Sequence, residues 1–348
     1  MDHTRAKDRE ESELTREGQV TGRYVEAIKL LGSGNPTQRL GGIYSLERIM
    51  RDSQRDRSTI VEVLAAFIRT SARNASDATD TERAETEEPT SIAEDVHAAL
   101  AVIGRRPTDW ETASPDLAHT QLQSAELARA HLPGANFRGV NLQGADLTEA
   151  NLRGADLREA NLRKARLQDA QLQGAQLQEA DFRDAHLVGV NLWRANLWKA
   201  NLQGANLQEA NLVRANLRGT VLRGAYLQGA SLRQADLWLA NLQGAHLQDA
   251  NLYGADLQEA ILRGANLWSA NLQDANLQGA RLQGTDLMDA VLRRTDLRRA
   301  RELDMTKRLT AAQAAEALLD VTTVLPAEVA GDPLIKARIR ESKQISPE

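Results

Sequence analysis

Residues 200–219 read ANLQGANLQEANLVRANLRG, four passes of one five-residue pattern with leucine at 202, 207, 212 and 217 and alanine two places before each. The pattern runs far in both directions. From Leu117 to Leu297 every fifth residue is Leu, 35 of 37 positions, with Phe137 and Phe182 in the other two and no insertion. With this position called i, the i−2 sites from Ala125 to Ala300 hold Ala 31 times in 36. The exceptions are Val140, Val190, Thr220, Thr285 and Thr295, so small size is required there. All fifteen glycines between residues 116 and 300 fall at i+2.

A five-residue period fits neither regular element. On an α-helix it advances about 500°, so successive leucines would step about 140° around the axis instead of forming a stripe. In a straight strand an odd spacing sends alternate leucines to opposite faces. The leucines share one interior only if the chain runs extended from i−2 to i and then turns a corner once per repeat. Glycine marks that corner because it tolerates backbone angles that other residues resist. The expectation is a solenoid with a narrow core of stacked Leu and Ala.

These segments resemble the pentapeptide-repeat signature A(D/N)LxX, in 36 tandem copies over about 185 residues. The resemblance implies an all-β solenoid, a right-handed quadrilateral β-helix with four repeats per coil and about nine coils. At roughly 4.8 Å per coil the rod would rise about 43 Å.

Such a core explains why only 12 of 348 residues, 3%, are aromatic. Cysteine is absent, which excludes disulfides, thiolate metal sites and cysteine nucleophiles and fits a cytoplasmic location. The first seventeen residues are polar and charged, unlike a signal peptide, and no apolar run approaches the roughly 18 residues that would span a bilayer. No membrane association is expected.

The flanks divide as a disordered tail (1–17), a helical domain (18–73), an acidic linker (74–88), a helix and N-terminal cap (89–115), the repeats (116–300), and a C-terminal cap and tail (301–348). Helices are expected near Gly22–Leu31, Pro36–Arg51, Ser58–Arg73, Ser91–Gly104 and Thr310–Asp320, with an extended arm next and a charged, mobile tail after Pro333. The string QRLGGIYSLERIMRDSQRDRSTIVEVLAAFIR resembles a helical region found before the repeats in a bacterial group of pentapeptide-repeat proteins. Paired Gly41 and Gly42 should allow close helix packing. The linker alone carries six acids against one arginine, a net of −5, equal to the formal charge of the whole chain.

No phosphate loop, dinucleotide fingerprint or HExxH occurs, and no catalytic, cofactor or metal residue is nominated. His186 and His246 stand three coils apart, about 14 Å, too far to share a metal. A Leu-filled rod has no cavity for substrate, so an enzyme is not expected. What remains is surface. Residues twenty apart should stack on one side of the rod. The side with Leu147, Leu167 and Leu287 carries Asp146, Glu149, Asp169, Glu209, Asp249, Asp286 and Asp289 against Arg166. The two adjoining sides are basic.

The missing enzyme signals and the outward surface point to a non-enzymatic interaction scaffold with an unidentified protein partner; the alternative, implied by the resemblance, is a DNA mimic that binds DNA gyrase and protects it from inhibitors. The repeats carry 19 acids and 20 bases, which departs from an acidic mimic. Direct nucleic-acid binding is not expected, because Gln alternates with Arg on the basic sides. The sharper feature is aromatic. Trp193 and Trp198 flank one corner, Arg218, Trp238 and Leu239 lie above Trp198, and Val213, Arg233 and Tyr253 lie above Trp193. Stacking of Arg218 between Trp198 and Trp238 is expected, in an outward cluster suited to a protein interface. Trp268 with Met288 is a smaller second candidate, placed where gyrase-binding relatives form homodimers.

Overall fold

Leu212 shows how one repeat is built. Its amide donates to the Ser231 carbonyl at 2.7 Å, in the next coil, while the Asn211 amide donates back to Val190 at 2.9 Å. The turn then closes from the Ala215 amide to the Leu212 carbonyl at 3.0 Å. The computed structural model, which describes residues 18–77, 92–107, 110 and 113–345, repeats this unit along the whole array. Each i−1 residue pairs in parallel with the residue twenty positions on, from Asp116 with Asn136 to Asn276 with Asp296. Twenty residues are four repeats, so four sides make a coil. Each side is a single bridge between corners rather than a conventional strand.

The i and i−2 side chains point inward, and Leu212, Ala210 and Phe182 are almost fully buried. The five exceptions at i−2 fit the same space. Thr285 and Thr295 donate their hydroxyls to the carbonyls of Leu262 and Leu272 at 2.8 and 2.7 Å, so the core holds satisfied hydroxyls. Outside, the i−1 side chain braces the turn: Asn211 Oδ1 accepts from the Val213 amide at 3.2 Å, and its Nδ2 donates to Asn191 Oδ1 at 3.3 Å.

The corner is left-handed in every repeat, with or without glycine: φ is 67° at Gly204, 58° at Arg214 and 58° at Leu239. That conformation costs an L-residue about 1–2 kcal/mol. Glycine therefore marks corners where the cost is relieved, while the inward packing of leucine forces the others.

Among the described residues four helices precede the rod: α1 (residues 18–31), α2 (Pro36–Asp52), α3 (Arg57–Asp77) and α4 (Glu94–Gly104). Asn35 caps α2 by accepting from the Thr37 amide, with Pro36 in the first turn. Ile43, Leu46, Ile60, Leu64, Leu100 and Ile103 form a shared core. Arg105 forks onto Glu47 at 2.7 and 2.6 Å, and Arg39 pairs with the buried Asp95, fixing α4 to α2. Helix α3 runs on to Asp77, four residues beyond Arg73. The tail 1–17 and residues 78–91 of the linker and cap, Ser91 among them, lie outside the described residues.

Only one of the paired glycines is needed for packing. A Cβ on Gly42 would stand 2.7 Å from the Leu31 amide nitrogen and 2.8 Å from the Ala27 carbonyl oxygen, whereas one on Gly41 would meet nothing. Gly42→Val is expected to destabilise the helical unit by about 2 kcal/mol through forced backbone movement. Gly41→Ala is expected to raise stability slightly through helix propensity. Thermal melts of the two variants check this contrast.

Open solenoid ends expose unpaired backbone groups. Both ends are covered by the C-terminal carbonyls of a helix, which have no partner within their own helix. At the start the His131 amide donates to Gly104, the last residue of α4, at 2.6 Å. At the far end the Arg294 amide donates to Glu316, the last residue of α5 (Ala311–Glu316), at 2.7 Å. Gln313 of α5 also donates to the Leu287 and Ala290 carbonyls at 2.8 and 2.9 Å.

The expected helix over Thr310–Asp320 is shorter than its pattern because the chain returns to bridge pairing. Lys307 and Leu318 pair with Asp286 and Asp296 at offsets of 21 and 22 residues, so pairing continues past Ala300 in a slipped register. The segment after Pro333, expected to be mobile, forms a helix; α6 (Ala327–Ala330) and α7 (Pro333–Ile345) follow α5, and Ile335 is fully buried.

Candidate interaction surface

The i+1 and i+2 positions line the corners of the rod, and at one edge they carry indoles. Trp193 and Trp198 are each 38% exposed and Leu239 is 47% exposed, while Trp238 and Tyr253 are half-buried. Each aromatic ring has its own cation. Arg194 lies 4.4 Å over Trp193, Lys199 4.3 Å over Trp198, Arg218 4.6 Å over Trp238 and Arg233 5.7 Å over Tyr253. Arg218 therefore stacks on one indole, not between two as the twenty-residue spacing suggested. Lys199 takes the Trp198 ring, and Asp236 draws Arg218 toward Trp238 at 3.5 Å. Val213 sits half-buried one coil above Trp193, continuing the apolar column.

Leu239 is the informative residue. Among the described non-glycine residues with positive φ, it is the one aliphatic side chain; the others are charged, polar or histidine. It bears the cost of a left-handed corner and leaves its side chain in water.

The acidic side holds the seven predicted carboxylates in two columns, Asp146 and Asp286 at i−1 and the other five at i+2, and three of the seven are salt-bridged. Asp146 pairs with Arg166 at 3.0 Å, Glu149 with Arg129 at 2.9 Å, and Asp286 with Arg308. The Arg129 hydrogen bond and charge hold the Glu149 carboxyl below its ordinary range. At Asp146, partial burial opposes ionisation, yet the Thr148 hydroxyl and amide with Arg166 prevail and keep its pKa low. Asp289 accepts from Trp268 Nε1 at 3.3 Å, and Met288 is half-buried against Arg308. Asp169, Glu209 and Asp249 remain.

The sequence model of pentapeptide repeats matches in eight copies lying between residues 116 and 301. The chain belongs to the pentapeptide-repeat family. Its fold is accordingly that family's right-handed β-helix, with helices before and after it, and family members are in general structural or interaction proteins rather than catalysts. The cyanobacterial HetL of Nostoc sp. strain PCC 7120, a pentapeptide-repeat protein involved in heterocyst differentiation regulation, is 38% identical over 52% of this chain and 88% of that one, with a TM-score of 0.31. Rfr23 of Cyanothece 51142 is 41% identical over 27% of this chain and 62% of that one, with a TM-score of 0.25. QnrB1, a plasmid-mediated fluoroquinolone resistance protein, is 23% identical over 46% of this chain and 83% of that one, with a TM-score of 0.34. No curated protein matches.

Elsewhere on this pentapeptide-repeat rod, Tyr226 and His246 stack face to face, with ring centroids 5.0 Å apart and planes 4° apart. Their twenty-residue separation in the i−1 column sets one ring directly above the other, a contact that the repeat spacing itself carries. The helical unit has a cleft of about 610 Å³ between α1 and α3, lined by Tyr24, Ile28, Val63 and Phe67; among the described residues its one charged lining residue is Arg39, already engaged with Asp95. Among the described residues no helix is long and apolar enough to cross a membrane, and no cluster of His or carboxylates could hold a metal.

Proposed function

We propose that this chain is a non-enzymatic protein-interaction scaffold in the cytoplasm. A rod of about nine four-sided coils carries a contact surface at the corner of Trp193, Trp198, Arg218, Trp238 and Leu239. The observation that carries this reading is Leu239, an apolar side chain exposed at a strained corner where glycine would be cheaper. Exposed aromatics, arginine and an aliphatic side chain in one cluster are what protein interfaces use.

Leu239→Gly tests this in one variant. Relief of the left-handed strain is expected to stabilise the isolated protein by up to about 1 kcal/mol, net of glycine's greater chain entropy. Its capture of partners from native-host extract should fall, and fall further when Trp238→Ala is added. Unchanged partner capture and oligomeric state in the double variant would count against the surface.

The DNA-mimic alternative has less support. Among the described residues, four carboxylates outside salt bridges, Asp169, Glu209, Asp249 and Asp289, fall along the acidic side once every two coils, about 10 Å. Duplex DNA carries one charge per roughly 1.7 Å of axis. Purified protein is therefore expected neither to inhibit gyrase supercoiling nor to protect it from a fluoroquinolone at micromolar concentration.

A further inference from the structure

The corner has a charge as well as an apolar character. It is formed by three stacked stretches, residues 191–199, 211–219 and 231–239, which contain Arg194, Lys199, Arg214, Arg218 and Arg233 against the one carboxylate of Asp236. The patch is thus +4 on a repeat array that is close to neutral. Four of these cations lie over or beside an aromatic ring or are bonded to neighbouring side chains, which holds them at the surface in fixed positions. Arg214 is likewise held by Gln234 at 2.8 Å.

We infer that this patch docks a short acidic peptide segment bearing apolar side chains, a step that rests on the reading of the rod as a protein-binding scaffold. The cations offer carboxylates a partner, and the exposed indole edges with Leu239 offer apolar side chains a dry contact. Neither half suffices alone: exposed ion pairs contribute little in water, and burying apolar surface around them is what strengthens them.

The same map selects a peptide over a nucleic acid strand. Along the side that holds Lys199 and Leu239, Glu159 and Glu179 lie below the patch and Asp256 and Glu259 above it. On the adjoining side Gln173 and Gly174 offer no charge one coil below, Arg153 stands two coils below, and Asp274, paired with Arg294, stands above. A polyanion tracking the rod would meet these carboxylates within one or two coils, inside or near the roughly 8 Å screening length at physiological salt. The cationic window spans three coils, about 10–15 Å, the length of about four residues of extended peptide.

Panning a phage-displayed random peptide library on the full-length protein tests the inference, with two variants as counter-targets. One is Trp238→Ala with Leu239→Gly; the other is Lys199→Glu with Arg218→Glu. Both are checked for cooperative melting. The expected result is enrichment of peptides combining Asp or Glu with Leu, Phe or Trp. Fluorescence anisotropy of the enriched peptide should show at least tenfold weaker binding to either variant, and weaker binding as salt rises. Oligo-Glu without apolar residues and a twenty-nucleotide oligo-dT should bind at least tenfold more weakly than the peptide. Neutral or basic peptides that lose binding to Trp238→Ala with Leu239→Gly would overturn the acidic preference and leave the scaffold surface standing. Peptides indifferent to both variants would overturn the surface itself. Oligo-dT binding as tight as the peptide would replace the peptide with single-stranded nucleic acid.

Discussion

Leu212→Asp is expected to abolish cooperative folding of the rod near neutral pH. Leu212 lies mid-array and is 1% exposed, stacked among the leucines of its own column. Losing its burial removes about 1.5–3 kcal/mol, and placing a carboxylate there adds a desolvation cost of several kcal/mol with no cation inside the core. Against the roughly 5–15 kcal/mol that holds an ordinary protein folded, the sum is a large fraction. The defect should also depend on pH in a definite direction. Burial raises the pKa of the new aspartate in the folded state above its unfolded value. The folded state then binds more protons, so the variant gains stability as pH falls toward the unfolded pKa and loses it as pH rises. Circular dichroism melts at pH 4.5 and 7.5 measure this; a mid-rod aspartate that melts like the unaltered protein at both would refute the inward assignment of the leucine column.

That column was legible because one residue type at a fixed interval admits few geometries. Five-residue leucine with two-residue-earlier alanine rejects both helix and strand, and the twenty-residue pairing of Asn191 with Asn211 follows once four sides close a coil. What glycine meant at i+2 was only half legible. The corner is left-handed at Arg214 and Leu239 as much as at Gly204, because leucine burial on either side fixes it whatever residue stands there. Beyond Ala300 the period offered no guide. Leu303 and Leu319 still enter the core, but with slipped spacing, so the return of the chain to pairing at Leu318 was invisible and the helix seemed longer than its six residues.

The surface was legible as composition and not as geometry. Twenty-residue offsets correctly put Arg218 beside Trp238, yet they could not tell which of two indoles a long flexible guanidinium would choose. The choice came from Asp236, a charge in the neighbouring i−1 column. Likewise the acidic side could be counted from sequence, but the pairing of Glu149 with Arg129 one coil below depends on side-chain reach.

The second large effect is expected at the joint between helices and rod. Arg106 is 6% exposed, just past the end of α4, and donates to the Ile103 carbonyl at 2.7 Å and to those of His131 and Ala113 at 3.3 and 3.4 Å. Burial lowers its pKa to about 10. Arg106→Ala strands carbonyls that have little water to turn to, at about 1–3 kcal/mol each, and opens a void at the joint, for a loss of about 3 kcal/mol or more. The loss should be focused on the first coil, since each coil contacts chiefly its neighbours. Hydrogen exchange at the His131 amide, which bonds to Gly104, should therefore accelerate far more than at the Asn211 amide mid-rod. The ionisation adds a sign of its own. A cation whose folded pKa is depressed makes the unfolded state bind more protons between about pH 10 and its ordinary pKa, so the unaltered protein should gain stability from this group as pH rises through that window. Arg106→Ala should lack that gain, and equal alkaline slopes in the two proteins would show that Arg106 is not desolvated at the joint.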